Sequence, residues 1–241
     1  GNDMPKRTAV WRTAGDSLTT NYMDVQVEEN CVSISVKRSF SKLSLEVYSI
    51  YKIYSNGQIE VSHQHSMDNS LSEIPRVGIK MNLKGDYDQV AWFGRGPHET
   101  YIDRKTSAPI DLYSGSVWGQ SFQYVRPQET GNKTDVRWMA LNNGETGLMI
   151  KGEPLFDGSV HQYPYDDLDY TPKRQKHGKL DLKPKNIVNW LIDTKQMGIG
   201  GDNSWGALPH NKYMIFPDKN HELVYKMIPF EVGEDLFAIS K

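Results

Sequence analysis

Apolar and polar residues alternate over much of this 241-residue chain. Successive side chains of a β-strand point to opposite faces, so a period of two predicts strands with one buried face. No segment carries the sustained 3.6-residue apolar period of an amphipathic helix. The pattern predicts an all-β fold, a large sandwich or barrel. In the segment DVQVEENCVSISVKRSF the alternating apolar positions are Val25, Val27, Val32, Ile34 and Val36.

Turn signals divide the alternating runs into hairpins. Asn56-Gly57 separates two such runs, and Asn143-Gly144 lies inside ALNNGETGLMIKG. Asn-Gly is the strongest short hairpin signal, because both residues tolerate positive φ. A turn at Glu29-Asn30 divides the first run, and HELVYKMIPF predicts a strand that closes the chain. The segment PYDDLDYTPKRQK predicts at most a helical turn or two, since Pro172 limits its length.

Composition excludes several classes of function. The formal net charge is -2 and the pI is about 6.4, so there is no basic excess for a nucleic-acid partner. The mean hydropathy is -0.63 and no apolar run approaches the roughly 20 residues of a membrane-spanning helix, so no membrane partner is expected. Cys31 is the only cysteine, which excludes an intramolecular disulfide. The first residues, GNDMPKRTAV, lack the apolar segment of a signal peptide and leave localisation open.

Two glycine-containing segments concentrate the polar candidates. The first, WFGRGPHETYIDRKTSAPI, turns at Gly94 to Pro97 and then presents His98, Glu99, Tyr101, Asp103 and Arg104. The second, YVRPQETGNKTDVRWMAL, places Arg126, Glu129, Asp135 and Arg137 around Gly131. These side chains could form a polar rim for a hydroxyl-rich ligand, or a buried network of paired charges that fixes long loops. Glu129 and Arg137 could pair with each other, and either could instead face a sugar.

Histidines offer a weaker candidate. His63 and His65 are two residues apart and share one strand face, so a third ligand from elsewhere would complete a metal site. Such pairs more often lie at a surface or a sheet edge, and we expect no metal site. The other histidines are scattered along the chain: His98, His161, His177, His210 and His221.

The segment MGIGGDNSWG combines glycines with one large aromatic residue, Trp205. Glycines give a loop unusual backbone freedom. No alternation places Trp205 on a core face, so its indole could stack on a ligand or plug one end of the fold. We predict that the indole is at least partly exposed.

Three motifs together resemble a known family. WFGRGPHETYIDR, YVRPQETGNKTDVRW and MGIGGDNSWG occur in this order in the C-terminal domain, also called the small chain or domain 5, of bacterial β-galactosidases of glycoside hydrolase family 2. The segment SVHQYPYDDLDYTPKRQKH also resembles the family, and the likeness covers nearly the whole chain. VWRTAGDS matches only the latter part of the family's opening segment, and EVGEDLFAISK extends past its expected end. We therefore expect a single domain over 1–241, slightly truncated at its N-terminal end and a fragment of a longer enzyme.

The resemblance implies a large antiparallel supersandwich similar to galactose mutarotase. In the family, a (β/α)8 barrel elsewhere in the enzyme carries the catalytic glutamates, so this chain is expected to hold no catalytic residue, metal or cofactor and to be inactive alone. The family's loop implies that Trp205, with Asp202 and Asn203, contacts the substrate in that barrel's active site. The polar rim would then comprise His98, Glu99, Arg104, Glu129 and Arg137.

The implied partners are a β-galactoside and the barrel domain of a bacterial parent enzyme, cytoplasmic or periplasmic, whose assembly as a homo-oligomer stays open. Two alternatives remain at this point. A free-standing mutarotase or epimerase would need a general acid and base, for which His98 with Glu99, or His161 with Asp166, are the candidates. A stand-alone carbohydrate-binding module would need neither.

Overall fold

The computed structural model describes residues 2–168, 181–203, 205–218 and 220–241. These residues form eleven β-strands and three single-turn α-helices. The strands are β1 (Leu18–Val27), β2 (Cys31–Phe40), β3 (Leu45–Tyr54), β4 (Ile59–Met67), β5 (Arg76–Lys84), β6 (Gln89–Arg95), β7 (Ile110–Ser116), β8 (Lys133–Asn142), β9 (Thr146–His161), β10 (Ile187–Gln196) and β11 (His221–Glu231). The helices are α1 (Met4–Arg7), α2 (Ala9–Arg12) and α3 (Leu236–Ile239).

The strands pair in the order β1-β2-β3-β4-β11-β9-β8-β6-β7, and each of these pairings is antiparallel. The last residues of the long strand β9 pair with β10, which also pairs with β5. The all-β, antiparallel prediction is confirmed. The predicted turns at Glu29-Asn30, Asn56-Gly57 and Asn143-Gly144 each join two paired strands. Gly57 and Gly144 have φ of 84° and 93°, which favour glycine.

The main core lies between the long sheet and the β5–β10 pair. Trp190 of β10 and Trp92 of β6 are buried together with Val61 of β4 and Ile150 of β9. Burying a large apolar side chain contributes about 1.5–3 kcal/mol each. This packing fixes the ends of β6, β8 and β10, from which the loops of the candidate site emerge.

The C-terminal helix covers the other face of the sheet. The ring of Phe237 contacts Phe93 and Trp138, with centroid distances of 5.2 Å and 5.5 Å. Leu236 and Ile239 pack in the same cluster. The strand predicted from HELVYKMIPF is confirmed as β11, and the short helix α3, which was not predicted, follows it. A four-residue helix is too short to display the 3.6-residue period by which helices are recognised.

Other short elements complete the description. Near the N-terminus, Trp11 of α2 donates from Nε1 to the carbonyl of Glu73 at 2.9 Å. A single 3-10 turn covers Tyr165–Leu168, and the rest of the helical turn predicted there extends into residues 169–180, outside the described residues. Among the helices described, none has the length and apolar character needed to cross a membrane.

Candidate functional site

Trp205 lies at the tip of a loop that the structure places on the surface. The residue is 90% exposed, so the predicted exposure is confirmed. Asn203 Oδ1 accepts hydrogen bonds from the backbone amides of Trp205 at 2.9 Å and Ala207 at 3.4 Å. Asn203 thus shapes the turn that carries the indole. Asp202 is itself exposed and pairs with His210 at 2.8 Å.

Glycines are needed in this loop for two reasons: neighbouring atoms leave no space for a Cβ, and one position has a positive φ. A Cβ on Gly201 would lie 2.4 Å from the carbonyl oxygen of Ala207. A Cβ on Gly198 would lie 2.7 Å from a carboxylate oxygen of Asp103. Gly206 has a φ of 129°. The loop therefore closes on itself tightly and presents its large aromatic residue outward.

Asp103 joins the first motif to the third. Its Oδ2 accepts a hydrogen bond from the backbone amide of Gly200 at 2.8 Å. The amide of Gly198 donates to the carbonyl of Tyr213, also at 2.8 Å. The base of the Trp205 loop is thus tied at two points. A fixed base limits the number of orientations that the exposed indole can take.

Glu99 joins the first motif to the second. One carboxylate oxygen accepts from Arg104 at 2.6 Å and from the hydroxyl of Tyr124. The other accepts from the hydroxyl of Thr130 at 3.0 Å and the amide of Gly131 at 2.8 Å. Burial alone would raise the pKa of Glu99, but these donors hold it below its ordinary value. Glu99 is a buried, fully engaged acceptor, as the network interpretation of this segment predicts.

Further bonds tie the same two motifs together. The side-chain amide Nδ2 of Asn132 donates to the carbonyl of Thr100 at 2.9 Å, and Thr100 Oγ1 accepts from the backbone amide of Thr134 at 2.8 Å. Asp135 accepts from Lys105 at 2.7 Å and pairs with Arg95. The three motifs, which are far apart in sequence, therefore form one connected structure.

Glu129 belongs to a second charged cluster. It pairs with Arg76 at 3.5 Å and accepts from the hydroxyls of Tyr101 at 3.4 Å and of Tyr165. Arg76 also pairs with Asp193 of β10 at 3.5 Å. The pairing of Glu129 with Arg137 considered from the sequence is wrong. Arg137 instead donates to the carbonyl of Asp135 and lies over the ring of Phe93.

Burial dominates the titration of the groups around Arg76. Burial raises the pKa of Asp193 to about 6, against the lowering effect of the Arg76 charge. Burial and the nearby Asp193 raise the pKa of Asp157 to about 7. Burial, with the charges of Arg76 and Lys133, lowers the pKa of His161 to about 3. Asp193 and His161 are buried in the protein, whereas Asp157 is half-buried.

The remaining candidates lie apart from this network. His98 is exposed and lies 3.3 Å from the hydroxyl of Ser107. His63 and His65 share one face of β4, as predicted, and His63 is hydrogen-bonded to Ser49 at 2.8 Å. Among the described residues, no group of three or more potential ligands could hold a metal ion. His177 lies outside the described residues.

Sequence reasoning missed Arg76 and Asp193. Arg76 begins β5 and Asp193 lies in β10, while Glu129 is in the loop that precedes β8. No local spacing connects these positions. Only the pairing of β5 with β10 brings the first two together.

The chain is similar to known proteins over most of its length. A family model described as the β-galactosidase small chain matches residues 1–227. The chain belongs to the β-galactosidase small-chain family. A β-galactosidase of Priestia megaterium is 33% identical over 230 residues, which cover 95% of this chain and 22% of that protein. The chain thus spans about a fifth of the length of the curated relatives it matches.

Solved structures add information on the fold of this small-chain family member. The galactosidase domain of an α-galactosidase–sucrose kinase, AgaSK, aligns with a TM-score of 0.50 at 10% identity, over 89% of this chain and 28% of that one. At this identity the likeness concerns the fold alone. A galactose 1-epimerase from Lactobacillus acidophilus NCFM aligns with a TM-score of 0.43 at 6% identity, over 87% of this chain and 66% of that one.

Proposed function

We propose that this chain is a non-catalytic part of a larger bacterial β-galactosidase, and that its Trp205 loop supplies a stacking surface to a sugar site formed with the rest of that enzyme. The observation that carries the proposal is the 90% exposure of Trp205 on a loop whose base is anchored. The indole presents a flat aromatic face to solvent, and such a face suits the apolar face of a galactoside.

The polar network has a supporting role in this proposal. Glu99 already accepts from four donors, while Glu129 accepts from two tyrosines and forms an ion pair with Arg76. Glu99 has no capacity left for the hydroxyls of a sugar without breaking these bonds, and Glu129 is already engaged by three partners. Their contribution is to fix the loops that position Trp205. Asp202, which is mostly exposed, remains the acidic candidate for a direct sugar contact.

The mutarotase alternative finds little support in the same geometry. Its first candidate pair, His98 with Glu99, combines an exposed histidine with a buried carboxylate that is saturated by donors. Its second, His161 with Asp166, uses a fully buried imidazole whose pKa is lowered by burial to about 3. A general base works best with a pKa near the operating pH and within reach of the substrate.

The test is a Trp205→Ala substitution in the full-length parent enzyme and in this chain alone. In the parent enzyme we expect the apparent free energy of substrate binding to weaken by about 1–3 kcal/mol, the scale of a lost aromatic stacking contact. In the isolated chain the free energy of unfolding should change by less than about 0.5 kcal/mol, because the side chain is exposed. Substrate kinetics and urea unfolding measure the two effects.

Two control variants sharpen this experiment. Trp205→Phe keeps an aromatic face and should recover part of the affinity. Tyr22→Ala removes another exposed aromatic ring, on β1, and should leave substrate kinetics unchanged. A large loss of stability with unchanged kinetics would show that Trp205 is a packing residue and would reject the proposal.

A further inference from the structure

The hydrophobic face of the sheet continues beyond the region that β5 and β10 cover. Val61 of β4 is buried in the main core, at 2% exposure. Its register neighbours across β3, β2 and β1 are Tyr51, Ile34 and Val25 in turn. Exposure rises along this row until Val25, which is 55% exposed. The core therefore ends in an open apolar edge.

The adjacent rows behave in the same way. Ile59, Ile53, Val32 and Val27 are register neighbours, and Val27 is 85% exposed. In the next row Met23, which pairs with the buried Val36, is 65% exposed. We call the surface formed by the exposed Met23, Val25, Val27 and Ile53 and the half-buried Val32 and Ile34 the open face.

The opposite side of the same strands has a different chemistry. Asp24 and Gln26 alternate with the valines of β1, and Lys37 and Lys52 occupy the corresponding side of β2 and β3. All six residues of the open face are apolar. In β1 the alternation from Met23 to Val27 is typical of a strand with one side in water and the other side buried.

Strand β1 is also an edge strand. Among the described residues it pairs with β2 alone, so its other side offers backbone amides and carbonyls for a further strand. Proteins usually protect such edges with charges, prolines or bulges, and an exposed apolar edge invites pairing. The one bulge in the β1–β2 pairing lies between Thr20 and Tyr22, away from the apolar end of the strand.

We propose that the open face is covered by the remainder of the parent β-galactosidase, which packs apolar side chains on it and extends the sheet beside β1. The curated relatives are about five times as long as the matched region, so most of such an enzyme lies outside this chain. The open face is apolar and continuous with the main core. Interfaces between permanently associated protein parts have the same character, because they resemble the interior of a domain. The proposal relies on the chain being part of a larger enzyme, but not on the role of Trp205.

Cysteine labelling tests this proposal. In a Cys31→Ser background, Val25→Cys places a thiol on the open face, and Gln26→Cys, the matched control, places one on the polar side of the same strand. Modification by N-ethylmaleimide is followed by mass spectrometry of the β1 peptide, in the isolated chain and in the parent enzyme. In the isolated chain we expect both thiols to react at similar rates. In the parent enzyme the Val25→Cys thiol should react at least about tenfold more slowly, with the Gln26→Cys thiol little changed.

The outcomes separate the alternatives. Equal reactivity of the Val25→Cys thiol in both proteins would overturn the proposal. Protection in the isolated chain, together with a dimer mass by light scattering, would assign the open face to a second copy and would also overturn it. If a variant does not fold, hydrogen exchange of the β1 amides in the unmodified proteins gives the same comparison, with slower exchange expected in the parent enzyme. Protection of β1 with unchanged kinetics in Trp205→Ala would uphold this inference while rejecting the proposed sugar contact.

Discussion

Individual residues show why a polar segment of sequence is ambiguous. The first motif places Glu99 and Arg104 five residues apart, and a contact between them could be anticipated from the loop that they share. The ion pair between Glu129 and Arg76 could not be anticipated, because Arg76 lies 53 residues earlier and comes close to Glu129 only in the folded sheet. Short-range pairs can be predicted from spacing. A pair that depends on which strands become neighbours needs the topology first.

His63 carries a prediction at the same scale. Its ring is buried on the inner face of β4, between Ser49 and Tyr225, with Tyr51 and His65 against it. Burial, with smaller contributions from the charges of His65 and Arg38, lowers the pKa of His63 to about 4. In the unfolded chain its pKa returns to about 6.5.

The stability that depends on neutral His63 should therefore decrease in acid. Below about pH 6.5 His63 becomes protonated in the unfolded state, whereas in the folded state it stays neutral down to about pH 4. Acidification therefore favours unfolding. Between pH 7 and pH 5 we expect the unmodified chain to lose about 2 kcal/mol relative to His63→Gln. Urea unfolding at both pH values measures this difference. The exposed His98→Gln is the control, and an equal pH dependence in His63→Gln and the unmodified chain would contradict the assignment.

At the scale of elements, hairpins can be predicted from the local sequence, whereas pairing between distant strands cannot. The hairpins β1–β2, β3–β4 and β8–β9 follow from alternation and turn residues within a few positions. The pairing of β5 with β10 joins segments about a hundred residues apart, and no feature of either segment's sequence predicts this pairing. The clean alternation of β1 predicted one buried face, yet in this chain its valines are exposed. Alternation reports which side of a strand is apolar, while burial depends on what covers it.

The tail that contains α3 yields a prediction for an element. Its helix is capped by Asp235, whose side chain accepts from the amide of Phe237 at 2.9 Å, and the Phe237 ring contacts Phe93 and Trp138. Deleting residues 233–241 should expose this part of the sheet and reduce the free energy of unfolding by about 1–3 kcal/mol. Urea unfolding is the measurement, and deletion of only residues 240–241 is the matched control. An unchanged unfolding midpoint in the longer deletion would mean that the tail only rests on the sheet.

At the scale of the whole molecule, the fold brings the three motifs together. The loops after β6 and before β8 meet through Glu99 and Thr100, and the Trp205 loop joins them through Asp103. The family resemblance could name Trp205 in advance, but it could not show that most of the proposed polar rim is committed to holding loops. That distinction depends on how many donors each carboxylate meets, which only the assembled structure specifies.

The last prediction concerns catalysis by the chain as a unit. Hydrolysis of a glycoside requires two carboxyl groups that flank the scissile bond and reach the substrate. Here Glu99, Glu129 and Asp135 are engaged by nearby donors, and Asp193 is almost completely buried. We therefore expect the isolated, folded chain to release no chromophore from a nitrophenyl β-galactoside above a buffer blank, while the parent enzyme at equal molarity does. Far-ultraviolet circular dichroism dominated by β-structure confirms that the tested chain is folded. Turnover that persists through purification and is abolished by a substitution within this chain would contradict the proposal of a non-catalytic role.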